Sequence, residues 1–388
     1  MDVAAVKGTI AATIESRREE IAAIVEELYR FPETGLQEHQ SAALLTGILE
    51  REGFSLERGL AGLDTAFRAT YGVAGPAIAI VAEMDALPGV GHACGHNIIA
   101  AAAVGAAIAL RHALPGNAAR TIVLGTPAEE LGIGKVEMIK AGCLRDVDFA
   151  MMVHPSSKRQ VVKMFLGLAR LRFTFFGKSS HAAVYPEEGI NALDGVIQTF
   201  NGISALRQHL RQDARVHGII TEGGVAPNMI PERAACAFHV RADDLAEVGR
   251  IKQRVIACAQ GGALSSGCRL QVDEDERVLA PFKINRTFSA LYSAQLDYLG
   301  LPESAAPADK NKGSSDIGNV SQVVPTIHPH VPIGEGVHIH SEAFARATVS
   351  AQGKAAAVEG ATALALTAAE LATSPELRQK ILDEFNLT

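Results

Sequence analysis

AIAIVAEMDALPGVGHACGHN, residues 77–97, is the stretch on which the fold turns. Ala77 to Ala82 is an unbroken apolar run, the pattern of a short strand buried on both faces. The glycine-rich turn GVGHACGH follows and opens into an Ala-rich helix over 97–112. Strand, glycine turn and helix form the start of an α/β layer. Two more buried strands are predicted downstream. Thr121 to Gly125 ends in the loop TPAEELGIG, and Phe149 to Val153 ends at His154-Pro155. All three strands run into turns that carry metal-capable side chains. Sites in open α/β sheets form at the carboxyl ends of strands, so one shared site is expected there.

Outward from this core the pattern changes. On the N-terminal side the apolar spacing predicts a helix over 9–30 and another over 37–52. On the C-terminal side, residues 163–176 read as a long strand and 191–210 as a helix. Strands follow at 215–221 and 233–241, then a helix at 244–261 and a strand at 269–273. This β-α-β-β-α-β order is that of a ferredoxin-like unit. The expected organisation is one domain from residues 1–160 and 281–388, interrupted by a second at 161–280. A long Ala-rich helix over about 345–370 is expected near the C-terminus.

Composition narrows the function. The chain has 388 residues, 48% of them apolar, enough to build sizeable cores. Its 36 basic and 43 acidic residues give a net charge of −7, which argues against a nucleic-acid binder. The five cysteines are an odd number and mostly sit in apolar segments, which favours a reducing compartment over a disulfide framework. The apolar run from Ile98 to Leu110 is short for a membrane span, and no secretory signal is read at the N-terminus. A cytoplasmic protein with no membrane partner is expected.

Several side chains suit metal-assisted chemistry. Cys94 and His96 lie two apart on a glycine-bracketed turn, and thiolate and imidazole are standard Zn²⁺ ligands. Asp85 suits the outer role of accepting from the far nitrogen of a liganding histidine. Glu129 and Glu130 follow a buried strand, so one can bind metal while the other serves as general base. Alone, such a pair more often decorates a solvated loop. His154 at a strand end and His340, or its neighbour His338, complete the set. His92 is ambiguous. His328 and His330 read as structural, and Ser314, Ser315 and Asp316 form a polar loop without a clear role.

Here the sequence resembles the dinuclear-metal amidohydrolases and exopeptidases that include aminoacylases, carboxypeptidase G and auxin-conjugate hydrolases. It is most similar to the p-aminobenzoyl-glutamate hydrolase and dipeptidase branch. The resemblance is carried by FPETGLQEHQSA (31–42), AEMDALPGVGHACGHN (82–97), GTPAEE (125–130), MMVHP (151–155), GKSSHAAVYPEEGINALDGV (177–196), GGVAPNMIPERAACAFHVRA (223–242) and SSDIGNVSQVVPTIHP (314–329). It implies a mixed sheet flanked by helices, plus a lid and dimerisation domain. It implies two divalent ions per subunit, Zn²⁺ first and Mn²⁺ second, held by Cys94, His96, Glu130, His154 and His340. Glu129 is then the general base and Asp85 the orienting carboxylate. His181 matches a lid histidine that reaches the partner's active site in a homodimer, and Asn228 a lid residue that contacts substrate. Glu83 departs from the histidine of the older members, and Asn97 from the aspartate of the auxin-conjugate branch.

The activity implied is hydrolysis of the amide bond in an N-acyl amino acid or a small peptide-like conjugate. Three alternatives stand beside it. They are a dipeptidase acting on free dipeptides, a non-catalytic metal-bearing protein of the same fold, and a thiol hydrolase with Cys94 as nucleophile. The last is disfavoured because Cys94 and His96 are poorly placed to hydrogen-bond each other.

Overall fold

The computed structural model describes residues 2–305 and 312–387. In chain order the strands are β1 (Ser55–Arg58), β2 (Phe67–Tyr71), β3 (Ala77–Glu83), β4 (Arg120–Thr126), β5 (Phe149–Met151) and β6 (His154–Ser156). They continue with β7 (Gly167–Phe176), β8 (Arg215–Glu222), β9 (Arg233–Ala242), β10 (Arg269–Glu274), β11 (Thr326–Ile327) and β12 (His330–Pro332). The chain divides into two compact units, one from residues 1–164 and 282–388, the other from 165–281.

The first unit is built on a mixed sheet of order β1-β2-β4-β3-β5-β11. At its centre β3 pairs in parallel with β4 on one side and β5 on the other. All seven residues of β3 are buried, as its apolar run requires. The three strands predicted to end in metal-capable turns are therefore neighbours, with their carboxyl ends together. The helix His96–Ala113 is buried on every side through Leu110. Its small residues permit close approach: a Cβ on Gly105 would lie 2.7 Å from Ile21 and 3.1 Å from Ala361. Burial of Ile, Leu and Phe side chains in this core contributes about 1.5–3 kcal/mol each.

Two helical expectations are corrected. The run 9–30 is two helices, Val3–Ser16 and Arg18–Arg30, broken at Arg17. Ile14 and Ile21 are both buried and seven apart, so the helical period continues across the break and conceals it. The C-terminal run is likewise divided into Glu342–Thr348 and Ala351–Thr373, where the Ser350 hydroxyl caps the second helix through the Gly353 N–H. Ala351–Thr373 is long and apolar enough to cross a bilayer by length and composition. Here 72% of its most apolar window is buried inside the protein, and it packs on His96–Ala113.

The second unit follows the β-α-β-β-α-β order with its sheet arranged β10-β7-β9-β8, every pair antiparallel. Helices Ala192–Arg207 and Leu245–Ser266 pack on each other and on this sheet. Phe173, Phe175 and Phe238 are fully buried in its core. Along β8 the pattern is mostly exposed, with Ile219 66% and Ile220 47% accessible. β8 is an edge strand with apolar side chains on view.

Candidate metal centre

The turn after β3 is set by Gly95, which adopts a left-handed φ of 81° and packs against Pro155. A Cβ there would fall 2.3 Å from the Pro155 ring, so only glycine lets the Cys94 turn close on the His154 segment. The Cys94 Sγ consequently lies 3.5 Å from His154 Nε2. Cys94, His96 and His154 present ligand atoms within 4.8 Å of one another. The same spacing joins Cys94, Glu130 and His340, and also His96, Glu129 and Glu130. The five expected ligands and Glu129 thus converge through overlapping triads, with Cys94, His96 and Glu130 each in two of them.

Neighbouring groups orient these ligands. His96 Nδ1–H donates to the Asp85 carbonyl at 2.8 Å and to Asp85 Oδ1 at 3.0 Å, which leaves Nε2 as the free lone pair. Asp85 Oδ2 accepts from the Glu130 N–H, so one carboxylate aligns two of the candidate ligands. His154 Nδ1–H donates to the Pro155 carbonyl at 2.7 Å. His340 has a left-handed φ of 64°, and its N–H donates to the Ala93 carbonyl, tying it to the Cys94 turn. Ala128, just before Glu129, is also left-handed at 55°. Non-glycine residues in this region carry backbone strain, here in two of the segments that supply the cluster.

The donor set fits a divalent ion. His96 Nε2 and Glu130 Oε1 are buried and make no hydrogen bond, a cost of roughly 1–3 kcal/mol each that a cation would remove. Burial lowers the His154 pKa to about 4, which keeps the ring neutral and able to donate a lone pair. Burial raises the Cys94 thiol, an effect a coordinated dication reverses. Burial, then the carboxylates Glu83 and Asp316, push the Glu129 carboxyl well above its ordinary range. Replacing Asp85 by Ala is expected to weaken metal affinity by about 10- to 100-fold, measured by competition with a chromogenic chelator. Unchanged affinity would exclude the orienting role.

Other sequence candidates separate from the cluster. His92 Nε2 lies 3.0 Å from the Leu28 carbonyl and serves the helix packing. Asn97 donates to the Val25 carbonyl and to Thr348 Oγ1, so the residue that departs from the auxin-conjugate pattern is a helix-to-helix tie. His338 joins none of the candidate ligand groups among the described residues, and its carbonyl accepts from Ser341. His328 and His330 are buried, their rings 5.4 and 5.1 Å from that of His154. The Ser314–Asp316 loop has a definite partner that sequence reasoning missed. Asp316 Oδ1 accepts from the buried Lys135 ammonium at 2.6 Å, and Glu83 Oε1 lies 2.7 Å from the same nitrogen.

In the second unit, His181 and Asn228 lie on adjoining loops, with the Ala182 N–H donating to the Asn228 carbonyl. Both side chains are exposed. His181 Nδ1 accepts from the Ala183 N–H at 3.2 Å, which places the proton of the neutral ring on Nε2. Beside them is a cavity of ≈ 430 Å³ walled by Ala182, Asn191, Val225 and Met229.

The fold and the convergent ligands define a metal-dependent hydrolase. Residues 166–264 match the peptidase dimerisation domain of the M20 peptidases. Over 395 residues the chain is 36% identical to Xaa-Arg dipeptidase of Mus musculus, covering 98% of this chain and 92% of that protein. Over 319 residues it is 33% identical to a p-aminobenzoyl-glutamate hydrolase polypeptide of Escherichia coli (strain K12), covering 75% of this chain and 64% of that one. The solved structure of a dinuclear metal-binding M20 peptidase from Bacillus subtilis superposes with a TM-score of 0.69 at 22% identity, covering 92% of this chain and 99% of that chain. The chain belongs to the M20 family of metal-dependent peptidases and amidohydrolases, and it hydrolyses amide bonds.

Proposed function

We propose that the substrate is a dipeptide or a closely similar acyl-amino acid, cleaved at its single amide bond with release of the carboxyl-side amino acid. The observation that carries the hydrolytic reading is the meeting of Glu129 with His96 and Glu130 in one candidate ligand group. Two relatives matched along nearly the whole chain are Xaa-Arg dipeptidases, which favours a basic residue on the carboxyl side of the scissile bond. The proposed cofactor is a pair of divalent ions held by Cys94, His96, Glu130, His154 and His340, Zn²⁺ before Mn²⁺ because thiolate and imidazole are present.

Such an ion would supply an acidified water, its pKa brought down towards about 7, and a polarised carbonyl. The chain supplies the rest. Glu129 accepts the proton of the attacking water and passes it to the leaving nitrogen. Asp85 fixes the His96 ring and the Glu130 backbone. His181, with its proton on Nε2, is a donor for the developing oxyanion, contributed across a homodimer formed through the second unit. The exposed edge strand β8, with Ile219 and Ile220, supports that assembly.

The test is a panel of Xaa-Arg, Xaa-Lys and neutral dipeptides, N-acetyl amino acids and aminobenzoyl-glutamate, each assayed with defined metal loading by amine release. The basic dipeptides are expected to give the highest kcat/KM; higher values for the acylated amino acids would reverse the substrate assignment. His181→Ala is expected to lower kcat by about 10²–10³-fold with metal content unchanged. Mixing it with a Glu129→Gln chain should restore activity in heterodimers, and no restoration would rule out the cross-subunit donor.

A further inference from the structure

Lys135 stands in the first turn of the short helix Gly134–Lys140, six residues after Glu129. Its side chain is 1% exposed. It donates to Asp316 Oδ1 at 2.6 Å and lies 2.7 Å from Glu83 Oε1, while its backbone N–H donates to Asp316 Oδ2 at 3.0 Å. Glu83, Glu129 and Asp316 present carboxylate oxygens within 4.8 Å of one another, the same spacing shown by the candidate metal triads. Three carboxylates so close, Glu83 and Asp316 buried and Glu129 partly so, repel strongly unless a cation or a shared proton lies among them. In this chain a tethered ammonium contacts two of the three, Glu83 and Asp316. Glu129 belongs both to this group and to the group with His96 and Glu130, so its carboxylate is shared between the lysine cage and the metal ligands. Glu83 makes a second link, with Oε2 3.4 Å from His96 Nε2.

The loop is built to deliver the lysine. Gly134 packs so closely on the Pro127 carbonyl that a Cβ would lie 1.9 Å from its oxygen. This close approach folds the segment after Glu129 back on itself and returns Lys135 to the base of the site.

We propose that Lys135 is a positioning residue for catalysis, a built-in cation that fixes the Glu129 carboxylate relative to the metal ligands. The inference rests on Glu129 being the general base. A free metal ion in the cage would exchange and could bind water; the ammonium does neither, so it holds Glu83 and Asp316 in place beside Glu129.

The test compares Lys135→Ala, Lys135→Met and the charge-balanced pair Lys135→Met with Asp316→Asn. Lys135→Ala is expected to lower kcat by about 100-fold, the order of loss that follows a misplacement near 1 Å. KM and metal content per chain should stay close to wild type. Added ethylammonium should restore part of the lost kcat saturably, whereas tetramethylammonium at equal ionic strength, which has no N–H, should not. Where the single variants fail to fold, the charge-balanced pair carries the test: it should fold, bind metal and retain the kcat deficit. Wild-type kcat in that pair, loss of metal from it, or no ethylammonium rescue in a folded Lys135→Ala would overturn the proposal. Glu129→Gln assayed alongside keeps the two questions apart, because turnover in that variant would refute the base itself and leave the lysine data to stand on their own.

Discussion

Glu129→Gln is expected to leave both ions bound and to cut turnover by about 10²–10⁴-fold, the range removed with a general base. The variant keeps the shape and one hydrogen-bonding oxygen but cannot take a proton. Its neighbour should behave differently. Glu130 shares one ligand group with Cys94 and His340 and another with His96, and its buried Oε1 makes no hydrogen bond. Glu130→Gln should therefore lower metal content as well as turnover. Elemental analysis of the two variants beside kcat separates base from ligand. If Glu129→Gln loses metal and Glu130→Gln keeps it, the two roles are exchanged.

Removal of the metal is expected to have an effect at least as large. Polarisation of the carbonyl and acidification of water are together worth several kcal/mol, so dialysis against a chelator should lower kcat/KM by about 10³-fold or more. Zn²⁺ or Mn²⁺ should restore it. Stability should fall as well, because each ion held only by the folded state contributes about 2.7 kcal/mol when its free concentration is 100 times Kd. The stripped protein keeps His96 Nε2 and Glu130 Oε1 buried without a hydrogen bond, so its thermal midpoint should drop and recover on reloading. Activity that survives chelation and is abolished by alkylating Cys94 would instead indicate thiol chemistry.

Much of the fold was legible because each strand and helix advertises its own burial. The apolar runs Ala77–Ala82, Thr121–Gly125 and Phe149–Val153 read as buried strands; β3 and β4 contain the first two, and β5 covers Phe149–Met151 of the third. The order β-α-β-β-α-β could be read from the alternation of periods, and it recurs in the second unit. The break at Arg17 could not be read, since Ile14 and Ile21 keep the helical phase across it. The candidate ligands were legible as residue types, most of them at strand ends, with His340 read beside its neighbour His338 and the resemblance pointing to His340.

Other parts of the site had no local signal. Sequence placed Glu83 as a departure and Asp316 as a polar loop residue, and it passed over Lys135. The cage they form joins positions 83, 135 and 316, and that depends on which strands lie side by side. The same holds for His92 and His96, four apart in one turn, of which only His96 faces Asp85 while His92 faces Leu28. Sequence by itself determined the elements, their burial and the stock of metal-binding side chains, because backbone period and apolar pattern are local properties. The tertiary structure alone decided which charges meet. Pairing between buried ionic groups falls off over a few ångströms and is set by strand order and loop closure, neither of which is written in the spacing of residues along the chain.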